Sequence, residues 1–233
     1  MLSETSRRIE SLPRPLYDLD LAPSGAWIGV TEQEGDHQSL SFSGRIIPLS
    51  QPCLFPRVRA IDGDTAVVVD ARTRRQEKNA WVVTSSGEIK AHFYAGDAVQ
   101  DVLVSSEFIV VTYFDESALT SSGIEGNGVA VFNSAGEFLF GYKDLFGEKA
   151  VDVADCYAAC WNVRNCVLFY PYTEFPLVSL DLHARMQRVC ETPVEVTGSG
   201  AITGNGTLSF STVRTKTRVG FMPGRSERVR RSE

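Results

Sequence analysis

The sequence predicts an all-β protein, a β-propeller of about five blades of four-stranded antiparallel sheets. Three observations predict it. Short apolar runs alternate with turn residues along the chain, and no amphipathic pattern three helical turns long occurs. Similar hairpin turns recur at Gly44, Gly87, Gly136 and near His183, about every 40–50 residues, the length of a propeller blade. Residues 96–176 carry two long, similar runs, each opening on aspartates and closing on an aromatic pair and an acid. An irregular β-sandwich is the alternative, but a sandwich does not require a repeat of this length.

Taken in order, residues 1–15 are polar, carry Pro13 and Pro15, and read as a flexible lead-in. A single propeller domain is expected over 16–222. LYDLDLA and AWIGVTEQ are strands separated by a Pro-Ser-Gly turn, and HQSLSF and RIIPLS form a hairpin through Ser43-Gly44. VRAIDGDTAVVVDA folds back at Asp62-Gly63-Asp64, since glycine takes the positive φ of a tight turn. A charged loop spans 72–78, followed by a hairpin around Ser86-Gly87. DVLVSSEFIVVTYF turns at its Ser-Ser pair, a Gly/Ser loop covers 117–128, and the Ser-x-Gly-Glu turn returns at Ser134, Gly136 and Glu137. Residues 142–150 have room for one helical turn. The second long run, PLVSLDLHARMQRVCE and PVEVTGSGAITGNGTLSFSTV continue the β pattern. TKTRVGFM is expected to complete the last blade and to meet the N-terminal strands, because an open blade edge leaves backbone groups unpaired. The Asp-led runs are read as inner strand pairs and the Ser-x-Gly-Glu hairpins as outer pairs. Residues 223–233 read as a basic disordered tail.

Composition excludes several functions. A net charge of -6 argues against specific nucleic-acid binding, because a duplex presents dense negative charge. No apolar run is long enough to span a membrane, and no apolar segment follows Arg7 and Arg8, so neither a membrane anchor nor a secretory signal is expected. Five cysteines at irregular spacing read as reduced, buried thiols in a cytoplasm. Cys156, Cys160 and Cys166 lack a C-x2-C pair and a neighbouring histidine, so they do not read as a zinc site. His37, His92 and His183 fall in separate hairpins and support no catalytic triad, and no phosphate-binding glycine motif occurs.

The candidate site comes from aligning the two long runs with Asp101 on Asp155. In a hairpin, the start of the first strand and the end of the second share one face. Asp101, Asp115, Glu116, Asp155 and Glu174 are therefore expected around one mouth of the channel, joined by the hydroxyls of Tyr157 and Tyr172. The simpler reading is that these acids cap turns and bond strand-end amides. No cofactor is required. Asp101, Asp155 and Glu174 are the set that would hold calcium or magnesium through oxygen ligands.

At GDAVQDVLV…VTYFDES and VADCYAACW…YPYTEFPLVSLD the chain resembles a family of uncharacterised bacterial propeller-like proteins. Their pattern is Gly-Asp-Gly-x-x-Asp, Tyr-Phe-Asp-Glu-Gly, Asp-Cys-Tyr-Ala-Leu-Asn and Tyr-Thr-Asp-Phe-Pro-Leu-Val. The resemblance covers residues 80–185, with departures at Ala98, Ser117, Ala159-Cys160 and Glu174. It implies a propeller-like fold in a bacterial cytoplasm and no particular activity.

The functional expectation is a noncatalytic propeller scaffold binding a protein or small ligand at one channel mouth. The alternative is a metal-dependent hydrolase of lactonase type with calcium or magnesium among the mouth acids.

Overall fold

The structure is a computed structural model and describes residues 15–33, 37–73, 76–115, 123–162 and 165–204, together with strands 208–211, 216–219 and 229–230. Twenty strands form five four-stranded antiparallel sheets. Sheet 1 holds β1 (Leu16–Leu21), β2 (Trp27–Gln33), β3 (His37–Phe42) and β4 (Arg45–Pro48). Sheet 2 holds β5 (Pro56–Ala60), β6 (Thr65–Asp70), β7 (Ala80–Thr84) and β8 (Ile89–Phe93). Sheet 3 holds β9 (Val99–Val104), β10 (Phe108–Tyr113), β11 (Val129–Asn133) and β12 (Phe138–Gly141). Sheet 4 holds β13 (Asp155–Trp161), β14 (Cys166–Tyr172), β15 (Leu177–Asp181) and β16 (Met186–Cys190). Sheet 5 holds β17 (Ala201–Gly204), β18 (Leu208–Ser211), β19 (Lys216–Val219) and β20 (Val229–Arg230).

Each sheet is ordered as its strands follow in the chain, so every connection within it is a hairpin. The turns at Gly44, Gly87, Gly136 and His183 all join a third strand to a fourth, the outer pair. Gly44, Gly87 and Gly136 have φ of 102, 88 and 76°, the left-handed region that glycine enters without steric cost. Residues 142–150 form the short helix α1 (Tyr142–Phe146) followed by a 3-10 turn at Gly147–Lys149. Val229–Arg230, within the segment expected as a tail, lies beside β19 as the fourth strand of sheet 5.

The second strands of sheets 2 and 3 are buried on both faces, which is why TAVVVD and FIVVTY are continuous apolar runs and not alternating ones. Period two divides their side chains. Val67 and Val69 pack toward sheet 3 with Ile109, Val111 and Tyr113. Ala66 and Val68 pack toward sheet 1 with Ile28, Val30 and Leu40. Val110 meets Val167 and Phe169 of sheet 4, and Leu168 and Tyr170 turn to Val196 and Ile202. The core is thus a series of slabs between successive sheets, as blades pack in a propeller.

First strands touch in the order β1, β5, β9, β13, β17, and all five line one central channel. Their free edges carry unpaired amides, and neighbouring side chains satisfy several of them. Asp18 and Asp20, two residues apart on β1, accept the Val58 and Ala60 amides of β5, both at 2.8 Å. Arg59 then spans three sheets. It donates to Asp18 at 2.9 Å, to Asp101 of β9 at 2.5 Å, to the Val102 carbonyl at 3.0 Å and to its neighbour Val58 at 2.7 Å. Burial works against its charge, but Asp101 and Asp18 outweigh that and hold the guanidinium above its ordinary pKa.

Removing Arg59 takes a donor from two carboxylates and two carbonyls in the channel. Arg59→Met should destabilise the fold by about 2–4 kcal/mol, read by urea denaturation, and more than Asp20→Ala, which frees a single amide. Equal effects would show that the three-sheet clamp adds nothing to a single edge hydrogen bond.

Candidate functional site

One face of the molecule collects the links between sheets and the connections from second to third strands. It carries a pocket of about 650 Å³ between the β4–β5 link (residues 49–55) and the described parts of the β6–β7 loop (residues 71–73 and 76–79). That volume lies within the range of small-molecule sites, about 300–1,000 Å³.

The pocket walls are held by buried polar side chains. The Asp70 carboxylate accepts the Leu54 amide at 2.9 Å and the Phe55 amide at 3.0 Å. On the other side of the link, Gln38 grips the Cys53 peptide, donating to its carbonyl at 2.8 Å and accepting its amide at 2.6 Å. Cys53 itself is buried, and burial together with Asp70 pushes its thiol up to about 12. The link is therefore fixed while Leu54 and Phe55 remain 68% and 59% exposed. Asn79, buried, donates to the Asp70 and Gly96 carbonyls at 2.7 and 2.9 Å and accepts the Ala95 amide at 2.9 Å, tying the loop to the start of β9. Arg72 pairs with Asp97 at 3.2 Å and lies over the Phe114 ring, 5.7 Å from its centre.

The central channel, about 270 Å³, adjoins this pocket. Alternation along PRVRA sends Arg57 and Arg59 to the channel side while Val58 and Ala60 are buried against sheet 1. Arg57 and Gln100 line both cavities and form the partition between them.

The sequence-predicted residues separate into groups. Asp101 lies in the channel and is committed to Arg59. Asp155 opens β13 at the rim, half-buried, where burial and the charge of Asp115 raise its pKa. Asp115 is exposed just beyond β10. The Tyr157 and Tyr172 rings stack at 5.8 Å, and Phe175 meets both edge-on. Glu174 is exposed in the β14–β15 connection. Glu116 lies outside the described residues, as do parts of the 72–78 and 117–128 loops. Tyr170, two residues before Tyr172 on β14, is buried and donates to the Val196 carbonyl at 3.0 Å.

The alignment of Asp101 with Asp155 is corrected by register. The β9–β10 ladder skips Gln100 and the β13–β14 ladder skips Tyr157. Matching these irregularities sets Asp101 beside Ala158, three residues deeper than Asp155. Among the described residues, no three His, Cys, Asp or Glu side chains are grouped so as to hold a metal ion. Asp101, Asp155 and Glu174 therefore do not form the expected ligand set. Leu54, Phe55, Arg57 and Gln100 were missed, although exposed Leu-Phe at a link and the alternating arginines of PRVRA were visible signals.

These features define an all-β, propeller-type protein with a pocket on the loop face. No protein-family profile and no curated protein matches the sequence. Solved structures do. A functionally unknown protein from Desulfotomaculum acetoxidans aligns with a TM-score of 0.64 and 11% identity over 95% of this chain and 71% of that one. Kluyveromyces lactis Hsv2 aligns with a TM-score of 0.56 and 10% identity over 88% of this chain, which spans 59% of that protein's length. The β-propeller domain of Cps50 (Swd1) from Myceliophteria thermophila aligns with a TM-score of 0.55 and 12% identity, over 86% of this chain and 68% of that one. The likeness establishes the fold. No described helix is long and apolar enough to cross a membrane.

The Asp155 environment sets a pH dependence. A carboxyl with a raised native pKa binds protons more readily folded than unfolded, so stability falls as pH rises from its ordinary value of 3.8 through the native value. Asp155→Asn removes that loss. The variant should melt higher than wild type at pH 7, with the difference fading as pH falls toward 4. Melting curves from pH 4 to 8 measure it, and a constant offset would refute the assignment.

Proposed function

We propose that this protein is a noncatalytic propeller scaffold that binds a protein or small ligand at one mouth of its channel. The observation that carries the reading is the pocket between residues 49–55 and residues 71–73 and 76–79. It presents two large exposed apolar side chains on a link that Gln38 and Asp70 hold in place. A fixed, partly apolar concavity with few polar groups is what recognition requires, since preorganisation lowers the entropy cost of binding. The rim acids and the Tyr157–Tyr172 stack extend the same face. The metal-dependent hydrolase has less support, because Asp101 is already neutralised by Arg59.

The scaffold reading includes a closed ring of five blades. Its support is in sheet 1. Thr31, Ser39 and Ser41 lie on the face turned away from sheet 2, yet all three are buried. The Asp18 side of the channel also faces Ala201 and Ile202 of β17 across one cavity. In this reading sheet 5 is the element that covers that face.

Affinity capture from the native host tests the function. A partner or ligand retained by wild type should be lost with Leu54→Asp/Phe55→Asp and kept with Asp115→Ala/Glu174→Ala, all variants melting as wild type. Loss only in the second pair would move the site to the acidic rim. A protein that captures nothing and stays monomeric would overturn the scaffold.

A further inference from the structure

We infer that the pocket takes a monoanionic amphipathic carboxylate, its acid held by Arg57 and Gln100 and its apolar body resting on Leu54, Phe55 and Phe114. The inference rests on reading this mouth as the binding face and adds the chemistry of the ligand.

Arg57 and Gln100 are half-buried, and neither side chain has a hydrogen-bond or ion-pair partner among the described residues. That is unusual for an arginine facing a cavity, since its guanidinium carries five donors in a planar fork. Arg59, two residues along the same strand, shows the contrast: it meets two carboxylates and two carbonyls. Arg57 and Gln100 also share their position, each lining both the pocket and the channel. A carboxylate at this partition would receive the arginine fork on its two oxygens and the glutamine amide beside it.

The remaining charges select the valence of the ligand. Arg72 is committed to Asp97, and Asp70 to backbone amides. Asp70 keeps its charge on those amides, so among the described lining residues Arg57 and Lys78 stand against Asp70 and Glu77, and the single guanidinium at the partition is the cation a ligand meets. One carboxylate balances it, whereas a phosphate dianion exceeds it and meets Glu77. The rest of the wall selects the body. Leu54 and Phe55 are exposed at the rim, and Phe114 lines the pocket beneath Arg72. A ligand with an aryl or branched alkyl group would cover that surface, and the volume of about 650 Å³ admits a molecule the size of an N-acyl amino acid.

Calorimetric titration of the full chain with N-acetyl-phenylalanine, N-acetyl-phenylalaninamide and phenyl phosphate tests this. The acid should bind saturably, and the amide and the phosphate at least about tenfold more weakly, because each loses or mismatches the charge-assisted pair. Arg57→Gln should weaken the acid by about tenfold or more, and Arg57→Lys by less, since the charge stays but the fork is lost. Lys90→Gln, which removes one positive charge on an outer strand, should leave affinity unchanged. The comparison of ligands on the wild-type chain needs no variant to fold. No saturable binding of the acid at millimolar concentration, equal affinity for acid and amide, tighter binding of phenyl phosphate, or unchanged affinity in a folded Arg57→Gln chain would each overturn the inference. If partner capture still depends on Leu54 and Phe55 while the acid does not bind, the ligand class falls and the binding face stands.

Discussion

The inner rim of this molecule depends on the Arg59 clamp. Five first strands meet around the channel, and each offers an edge of unpaired backbone groups to its neighbours. Asp18 and Asp20 on β1 cover alternate amides of β5, because both strands share the same period of two. Arg59 carries the linkage onward to Asp101 and Val102 of β9. Three sheets that have no backbone ladder between them are thereby locked at one angular setting. Each carboxylate on this arginine has a partner, so neither Asp18 nor Asp101 is left as an unpaired charge in the channel.

The pocket is a consequence of that setting. With sheets 2 and 3 fixed at the channel, their loop-face connections cannot collapse onto each other. Asp70 and Asn79 then use their side chains to hold the β4–β5 link, the β6–β7 loop and the approach to β9 at fixed separations. Ala98 adds a local constraint, with φ of 57°, in the left-handed region that a residue with a β-carbon rarely enters. Its amide-plane orientation lets the Ala98 carbonyl accept the Phe114 amide at 3.0 Å, which places the Phe114 ring at the pocket. Rigid connections around a concave surface are the arrangement in which buried area converts most efficiently to affinity.

The two halves of the loop face differ in character. Around Arg57 the groups are cationic and apolar, with Asp70 turned to backbone amides and Asp97 to Arg72. Around Asp155 the acids face one another and the aromatic rings stack, so the ionised form there is disfavoured by burial and by Asp115. A ligand engaging both halves would meet opposite polarities within one mouth, which favours an oriented, amphipathic molecule over a uniformly charged one.

Much of the architecture was written locally. The hairpin turns, their spacing, the inner and outer strand pairs and the single helical turn follow from glycine positions and from runs of period two, and all of these act over a few residues. The site was only partly legible. The face carrying Asp115, Asp155, Tyr157, Tyr172 and Glu174 could be inferred from antiparallel pairing, but their grouping could not. Skipped residues at Gln100 and Tyr157 shift the ladders, so equal spacing along the chain does not give equal depth in the channel. The tertiary structure alone decided that Asp18, Arg59 and Asp101 meet, that Asp101 is therefore unavailable as a free ligand, and that Arg57 and Gln100 stand together without partners among the described residues. Those relations join residues about forty positions apart, across sheets that share no ladder, and they are set by how the blades pack.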